Sequence, residues 1–510
     1  MTMTHPGLPE MWVFTILVIM ALIGVWALIA KPPGRKDFGT LSLSSLPVIG
    51  SLTQYLLTTT WLLFILKLVM VLSFLLIITA GLYGTPIPER NIATILTWNL
   101  WWAGLVFSIL FLGSAWCAIC PWDALAQWLV RRRLWRRAEP NNSLNLRVPR
   151  QLRSVWPALI IFIGFTWLEL GEGITVDPYA TASVALLMVV MATVSMAVYQ
   201  RKAFCRYFCP VGRTIGFYSQ LSIVEQRPIN NEVCANCQTL ECYHGSQKVD
   251  PCPTGLMMGS LQQNTYCTSC GNCSRSCPDE NISWRLRSPS VEAVQSARPH
   301  WDEACFMIAL LALTSFHGIT MMPFWGEWIS QLARTISDSG QLLWSFSVAI
   351  ALCIMIISGF YAAMVLAIQK ISVTTLSFKQ TFSTFAFVAL PLAFAYHMAH
   401  NLNHLIREGA GLMGVFLNPL GIGTEPLTMM EKHMRHSDML ISQTSLFVLQ
   451  SVLMLAGFII AIKIIRYRSR STINRELSGA GWRMAPMILF ATGMTVAHLW
   501  LMMQPMVMRM

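Results

Sequence analysis

Cys267-Thr268-Ser269-Cys270-Gly271-Asn272-Cys273-Ser274-Arg275-Ser276-Cys277-Pro278 is the stretch on which the reading of the whole chain turns. Three cysteines at C-x2-C-x2-C spacing sit on a short loop that can wrap one face of a cubane. The fourth, placed before a proline, is directed away from that cubane and ligates a neighbouring one. Such a run predicts a partner, and one is present: Cys234-x2-Cys237-x4-Cys242, followed by Cys252-Pro253. Crossing the fourth positions gives two ligand sets for two [4Fe–4S] clusters: Cys234, Cys237, Cys242 and Cys277, and Cys267, Cys270, Cys273 and Cys252. The x4 gap requires a wider local loop. C-x2-C pairs also build zinc ribbons, but two Cys-Pro endings at the fourth positions match the two-cluster pattern.

Around this segment the composition changes. Of 510 residues, 55% are hydrophobic and only 12% charged, where a soluble domain carries about a quarter. A bilayer-spanning helix needs about 20 mostly apolar residues. Ten segments qualify, at about 11–30, 57–80, 92–115, 154–172, 180–199, 302–322, 342–368, 381–405, 440–465 and 485–503. The first has no basic region ahead of it and no small-residue cleavage site, so it reads as a retained anchor. The net charge of +12 would suggest nucleic acid in a soluble protein; here it follows the positive-inside rule. Lys31, Arg35 and Lys36; Arg131, Arg132, Arg133, Arg136, Arg137, Arg147, Arg150 and Arg153; Arg201 and Lys202; Lys370 and Lys379; and Arg466, Arg468, Arg470, Arg475 and Arg483 all fall on one side if the spans alternate. That side is the cytoplasm, which places the chain in the inner membrane with both termini outside and the clustered cysteines inside. The expected fold is mainly α: a polytopic membrane protein of about ten transmembrane helices with an inserted two-cluster α+β domain. Its divisions are a membrane half over 1–200, a cytoplasmic domain over 201–300 and a second membrane half over 301–510.

Two further motifs lie where spans leave the membrane, Cys117-x2-Cys120-Pro121 and Cys205-x3-Cys209-Pro210. Four thiolates from two adjacent loops could hold a third [4Fe–4S] cluster, with Arg201, Lys202 and Arg206 favouring an anionic site. A redox dithiol and a structural zinc are the alternatives. Cys305 and Cys353 stand alone in apolar runs and read as packing residues.

CAICP, FCRYFCP and the run at 267–278, set on transmembrane helices, resemble the membrane-bound polyferredoxins of the NapH, NosR and CcoG type. The resemblance covers about 90–280. It implies a ferredoxin-like domain and electron transfer between quinol, or another donor, and a periplasmic reductase system, or a part in oxidase maturation. The chain departs from that pattern in the x2 spacing of Cys117 and Cys120, where x3 is usual, and in having no amino-terminal flavin-binding domain of the NosR type.

The second membrane half carries histidines in apolar helices: His317, His397, His400, His404 and His498. Ionisable residues inside a membrane are functional candidates. Offsets of three and four put His397, His400 and His404 on one helix face. Facing imidazoles from two helices could sandwich a haem b, and copper or a di-metal site is the alternative to haem; ordinary packing is the bland reading. His5 and His244 read as ordinary, and His300 lies at the junction with the inserted domain. A long outer loop at about 406–438, with Glu408, Glu425, Glu431, Lys432, His433, Arg435, His436 and Asp438, would dock an outer redox partner or cover the histidines. Glu169, Glu172 and Asp177 could serve a quinone site, though solvation is the commoner role.

Two functions follow. In one, the chain is an oxidoreductase component, quinol dehydrogenase-like, that links cytoplasmic clusters or the quinone pool through an outer-half haem or metal to an extracytoplasmic redox protein or enzyme complex. In the other, it reduces copper for maturation of a respiratory enzyme, since soft Met and His ligands suit Cu(I). No nucleotide-binding pattern is present, and nucleic acid is not an expected partner.

Overall fold

Nine helices among the described residues are long and apolar enough to cross a bilayer: Glu10–Ile29, Thr60–Tyr83, Ile92–Leu112, Pro178–Val198, Trp301–Thr320, Leu343–Ser372, Phe378–Arg407, Gln443–Arg468 and Trp482–Met503. The structure is a computed structural model that describes residues 4–30, 39–132, 142–247, 249–339, 342–372, 376–408, 412–437, 439–471 and 481–507. Lys31, Arg35, Lys36, Arg133, Arg136, Arg137, Asp438 and Arg475 lie outside them, as do the side chains of Glu408, His433, Arg435 and His436.

The segment expected to span at 154–172 forms a shorter helix, Trp156–Gly171, of 16 residues. At 1.5 Å per residue it covers about 24 Å, less than the ~30 Å of a bilayer core. Pro157 occupies its first turn, and Gly173, at φ 68°, turns the chain just beyond its end. Depth in the bundle differs sharply. Trp301–Thr320 and Phe378–Arg407 are 83% and 94% buried over their apolar windows, against 11% for Thr60–Tyr83, which faces lipid. The two inner helices are the ones that carry His317 and the His397–His404 group.

A small polar layer is built from residues between Val224 and Leu286. Val224–Pro228 pairs antiparallel with Ile282–Leu286, from Val224 opposite Leu286 to Pro228 opposite Ile282. A third short strand comes from an unexpected place: Leu41–Ser42 pairs with Leu286 and Arg285. The helix Ile49–Thr58 then lies beside this layer, with Gln54 donating to Glu280 at 3.3 Å. The sheet is tied to its surroundings by a buried ionic network. Arg285 and Arg287 meet Glu225 at 2.6 and 2.8 Å, and Arg227 meets Glu292 at 2.7 Å, with Arg287 also on Glu292. The three guanidinium groups hold the Glu225 carboxyl below its ordinary range, although burial opposes this.

The layer docks on the helix Pro210–Tyr218, which is buried almost throughout. At Gly216 a Cβ would stand 2.1 Å from the Thr265 carbonyl oxygen, so only glycine allows this approach. Phe217 stacks on Phe306 at 4.9 Å, and Tyr218 lies 4.7 Å from Phe394, so this helix joins the two membrane halves. The long loop at about 406–438 is not an open span. It contains helices Leu412–Leu417 and Met429–Ser437 and is clamped to the turn before Ile92, through Arg90–Glu431 at 3.2 Å and Lys432–Glu89 at 3.3 Å. Thr4–His5 pairs antiparallel with Met506–Val507.

Candidate iron–sulfur sites and an adjoining apolar cavity

The x4 gap in the first cysteine run is taken up by a turn. Leu240 adopts a left-handed conformation, φ 49°, and starts the one-turn helix Glu241–His244 that carries Cys242. In the second run Gly271, φ 73°, plays that part and begins Asn272–Ser276. Asn281 ties the first run to the fourth cysteine of the second. Its side-chain amide donates to Cys234 Sγ at 3.4 Å and its backbone N–H donates to Cys277 Sγ at 3.4 Å. The thiol of Cys234 is raised by burial and by Cys277, Cys242 and Cys237 around it, against the Asn281 hydrogen bond. Cys273 is raised by burial and by Cys270, Cys267 and Cys252. The sulfurs of the two runs lie near one another, Cys277 beside Cys234 and both Cys252 and Cys242 beside Cys273. Backbone N–H groups of Leu256 and Ser269 donate to Cys252 and Cys267 Sγ at 3.2 and 3.4 Å. Such bonds favour a charged sulfur, as a thiolate-held cluster requires.

Cys117, Cys120, Cys205 and Cys209 line one small enclosed cavity at the edge of the membrane helices. Two Cys-Pro steps aim them. Pro121 and Pro210 open the helices Pro121–Arg131 and Pro210–Tyr218, leaving Cys120 and Cys209 at the N-caps. The Gly212 N–H donates to Cys209 Sγ at 3.2 Å. Burial pushes the Cys120 and Cys209 thiols up to about 12, and Cys117 and Cys205 also lie above their ordinary range, chiefly through burial. A bound cationic metal core would offset the charge of the four thiolates. Cations are close by. Lys202 reaches Asp123 at 2.5 Å in a buried pair; burial works against its charge, yet Asp123 keeps it above its ordinary value. Arg213, buried, donates to the carbonyls of Thr265 at 2.7 Å and Cys205 at 2.8 Å. The sequence reading named Arg201, Lys202 and Arg206 and missed Arg213. Its place one helical turn after Cys209 was the available signal.

Beside this cysteine cavity lies a larger apolar one of about 350 Å³. It runs from Trp116, Trp122 and Val211, which also face the cysteines, to Thr166 and Glu169 near the opposite membrane face. One wall is the wide π-helical turn Ile95–Trp101, a distortion often found at functional sites. On residues lining it, the indole N–H groups of Trp101, Trp116 and Trp122 and the hydroxyls of Thr97 and Thr214 are buried with no partner in the protein. Each such orphan costs about 1–3 kcal/mol.

The histidines come together only in part. His397 meets Tyr218 Oη at 3.4 Å, and His498 meets Ser315 Oγ at 2.7 Å while stacking on Tyr396. His317 and His400, from separate helices, stand edge to face at 4.9 Å, and His400 and His404 at 5.0 Å. Rings this close are in contact, so no macrocycle passes between them. The cavity they border is about 30 Å³, far below the several hundred Å³ of a cofactor pocket. The histidine group therefore does not fit the expected haem b. Among the described residues no three His, Cys, Asp or Glu side chains are set to hold a single metal ion.

A family model described as a 4Fe-4S binding domain matches residues 94–138 and 181–222. Those two segments contain the membrane-edge cysteines rather than the runs at 234–277. With the apolar helices, the match supports an iron–sulfur membrane protein of the polyferredoxin type with a general role in electron transfer. The chain is 27% identical over 154 residues to YccM of Escherichia coli K12, provisionally named an electron transport protein; the match covers 29% of this chain and 41% of that one. It is 26% identical over 112 residues to an uncharacterized protein of Methanocaldococcus jannaschii, covering 22% and 42%. The chain thus spans about two fifths of the length of these curated relatives. No solved structure matches it.

Proposed function

We propose that this protein is a quinol-oxidising electron-transfer protein of the inner membrane, with its cysteine sites in the cytoplasm and both termini outside. The observation that carries the reading is the 350 Å³ cavity, which abuts the Cys117, Cys120, Cys205 and Cys209 site through shared residues Trp116, Trp122 and Val211. Its apolar walls suit a flat ring with an isoprenoid tail, and its unpartnered indole and hydroxyl donors suit quinone carbonyl oxygens. Cys117, Cys120, Cys205 and Cys209 would hold one [4Fe–4S] cluster. Cys234, Cys237, Cys242 and Cys277 would hold a second, and Cys267, Cys270, Cys273 and Cys252 a third. The clusters supply one-electron acceptance; the residues around them supply position, N–H donors and cationic balance. With no cofactor geometry among the histidines, we place the redox partner at the half-exposed loop around Cys237, inside rather than outside the cell.

The test is addition of a short-chain quinol to purified, cluster-loaded protein, followed by cluster bleaching and EPR. Quinol-dependent reduction is expected. Ala185→Trp, which fills the cavity, should lower the rate at least 10-fold while dithionite still reduces every cluster. Reduction by dithionite alone, with none by quinol in the wild type, overturns the reading.

A further inference from the structure

Several buried polar atoms in the histidine half have no partner in the protein, among them Tyr396 Oη, His498 Nδ1 and both ring nitrogens of His400. The His400 ring is 4% exposed, and neither of its nitrogens has a hydrogen-bond partner in the protein. A buried imidazole so placed is costly unless something else satisfies it. It borders the 30 Å³ cavity together with Glu169, Thr314, His317 and His397. That volume admits one or two water molecules, and the lining gives them polar partners.

Glu169 also lines the large apolar cavity, so one carboxylate faces both spaces. From it the titratable groups form a line. Glu169 Oε1 lies 3.6 Å from His317 Nδ1, His317 touches His400 at 4.9 Å between ring centroids, and His400 touches His404 at 5.0 Å. His404 is half-buried near the end of Phe378–Arg407 that points away from the cysteines. The four residues come from three helices, two of which are the most buried in the bundle.

We propose that Glu169, His317, His400 and His404 form a proton path from the apolar cavity to the membrane face opposite the cysteines. This rests on the quinol reading above and adds to it the fate of the protons. Quinol oxidation breaks two O–H bonds and releases two protons and two electrons. The electrons leave one at a time toward the cysteine face, where a one-electron acceptor, ferricyanide in the assay, takes them. The Glu169 carboxylate accepts each proton in turn and passes it through His317 and His400 to His404. Charge is thereby separated across the membrane by the positions of two exits from one cavity.

The experiment uses the full, cluster-loaded chain in sealed vesicles with a short-chain quinol, ferricyanide and a pH-sensitive dye on each side. Wild type should acidify the side opposite the cysteines. Glu169→Gln and His400→Gln should each slow quinol-driven reduction at least 10-fold, with dithionite reduction and binding of a quinone analogue unchanged. In quinol-minus-quinone infrared difference spectra, the protonated-carboxyl band of wild type should vanish in Glu169→Gln. Proton release on the cysteine face, or full rates in both variants, overturns the path while leaving quinol oxidation standing. No quinol-dependent reduction in wild type overturns the underlying reading instead. Should His400→Gln lose its clusters through misfolding, the nearly isosteric Glu169→Gln and the half-buried His404→Gln decide the matter.

Discussion

The cysteines at 234–277 and those at 117–209 share spacings and Cys-Pro endings, yet their surroundings differ in almost every respect. The first set lies in loops of a small polar layer, where the backbone supplies N–H donors and Cys237 falls below its ordinary range through the Leu240 N–H and the Thr239 hydroxyl. The second lies at the edge of the membrane helices, its thiols raised by burial, with the buried Lys202–Asp123 pair beside it. Low dielectric makes a charge felt at greater range. The enclosed site should therefore be tuned by single charged residues, and the exposed one by many weak hydrogen bonds. Under the proposed function the difference assigns them different work: the buried site meets the apolar cavity, and the other is where a partner would dock.

The comparison can be broken most directly at Cys205. Cys205→Ala should abolish quinol-driven reduction of the runs at 234–277, a loss beyond 100-fold, while dithionite still reduces them. Equal loss of both reactions would show that the enclosed site is not upstream. Next in size is Lys202→Met, which leaves Asp123 buried without its cation. Breaking such a pair costs about 3–5 kcal/mol, read as a fall in the thermal midpoint in detergent, and the mutation should also shift the redox midpoint of the enclosed site alone. Gly216→Ala drives a Cβ against the Thr265 carbonyl and should cost about 1–3 kcal/mol, loosening the polar layer first in hydrogen exchange. The smallest effect is acid sensitivity. Because the Glu225 carboxyl is depressed in the folded protein, its contribution is present above its ordinary value of about 4.5 and lost as pH falls through the lower folded value. Cluster bleaching against pH should show the 234–277 sites failing in that window before the enclosed one, and Glu225→Gln should flatten the difference.

Much of this was legible in the sequence because the signals are local. Nine of the ten expected spans appear as apolar helices of sufficient length. What failed to show was assembled from distant parts. The strand Leu41–Ser42 is too short to carry a period, and only pairing with Leu286 defines it. The cavity draws its walls from residues between Met70 and Thr214 on several helices, none marked by a motif. The histidines were correctly seen as one helix face, but helix spacing says nothing of the distance to a neighbouring helix. At 4.9 Å His317 and His400 leave no gap between their rings for the cofactor the spacing suggested.

The pairing of Thr4–His5 with Met506–Val507 bears on how the protein is made. Leu8 N–H also donates to the Met502 carbonyl at 2.7 Å, and Met20 and Ala27 of the first helix join the same core as Met487 and Ala491 of the last. A ribosome delivers these partners nearly five hundred residues apart. The first helix must therefore wait in lipid, which its uniformly apolar surface of Met11, Phe14, Val18 and Leu22 permits. Contacts between these two helices form only after Trp482–Met503 has been made, so this side of the bundle closes late.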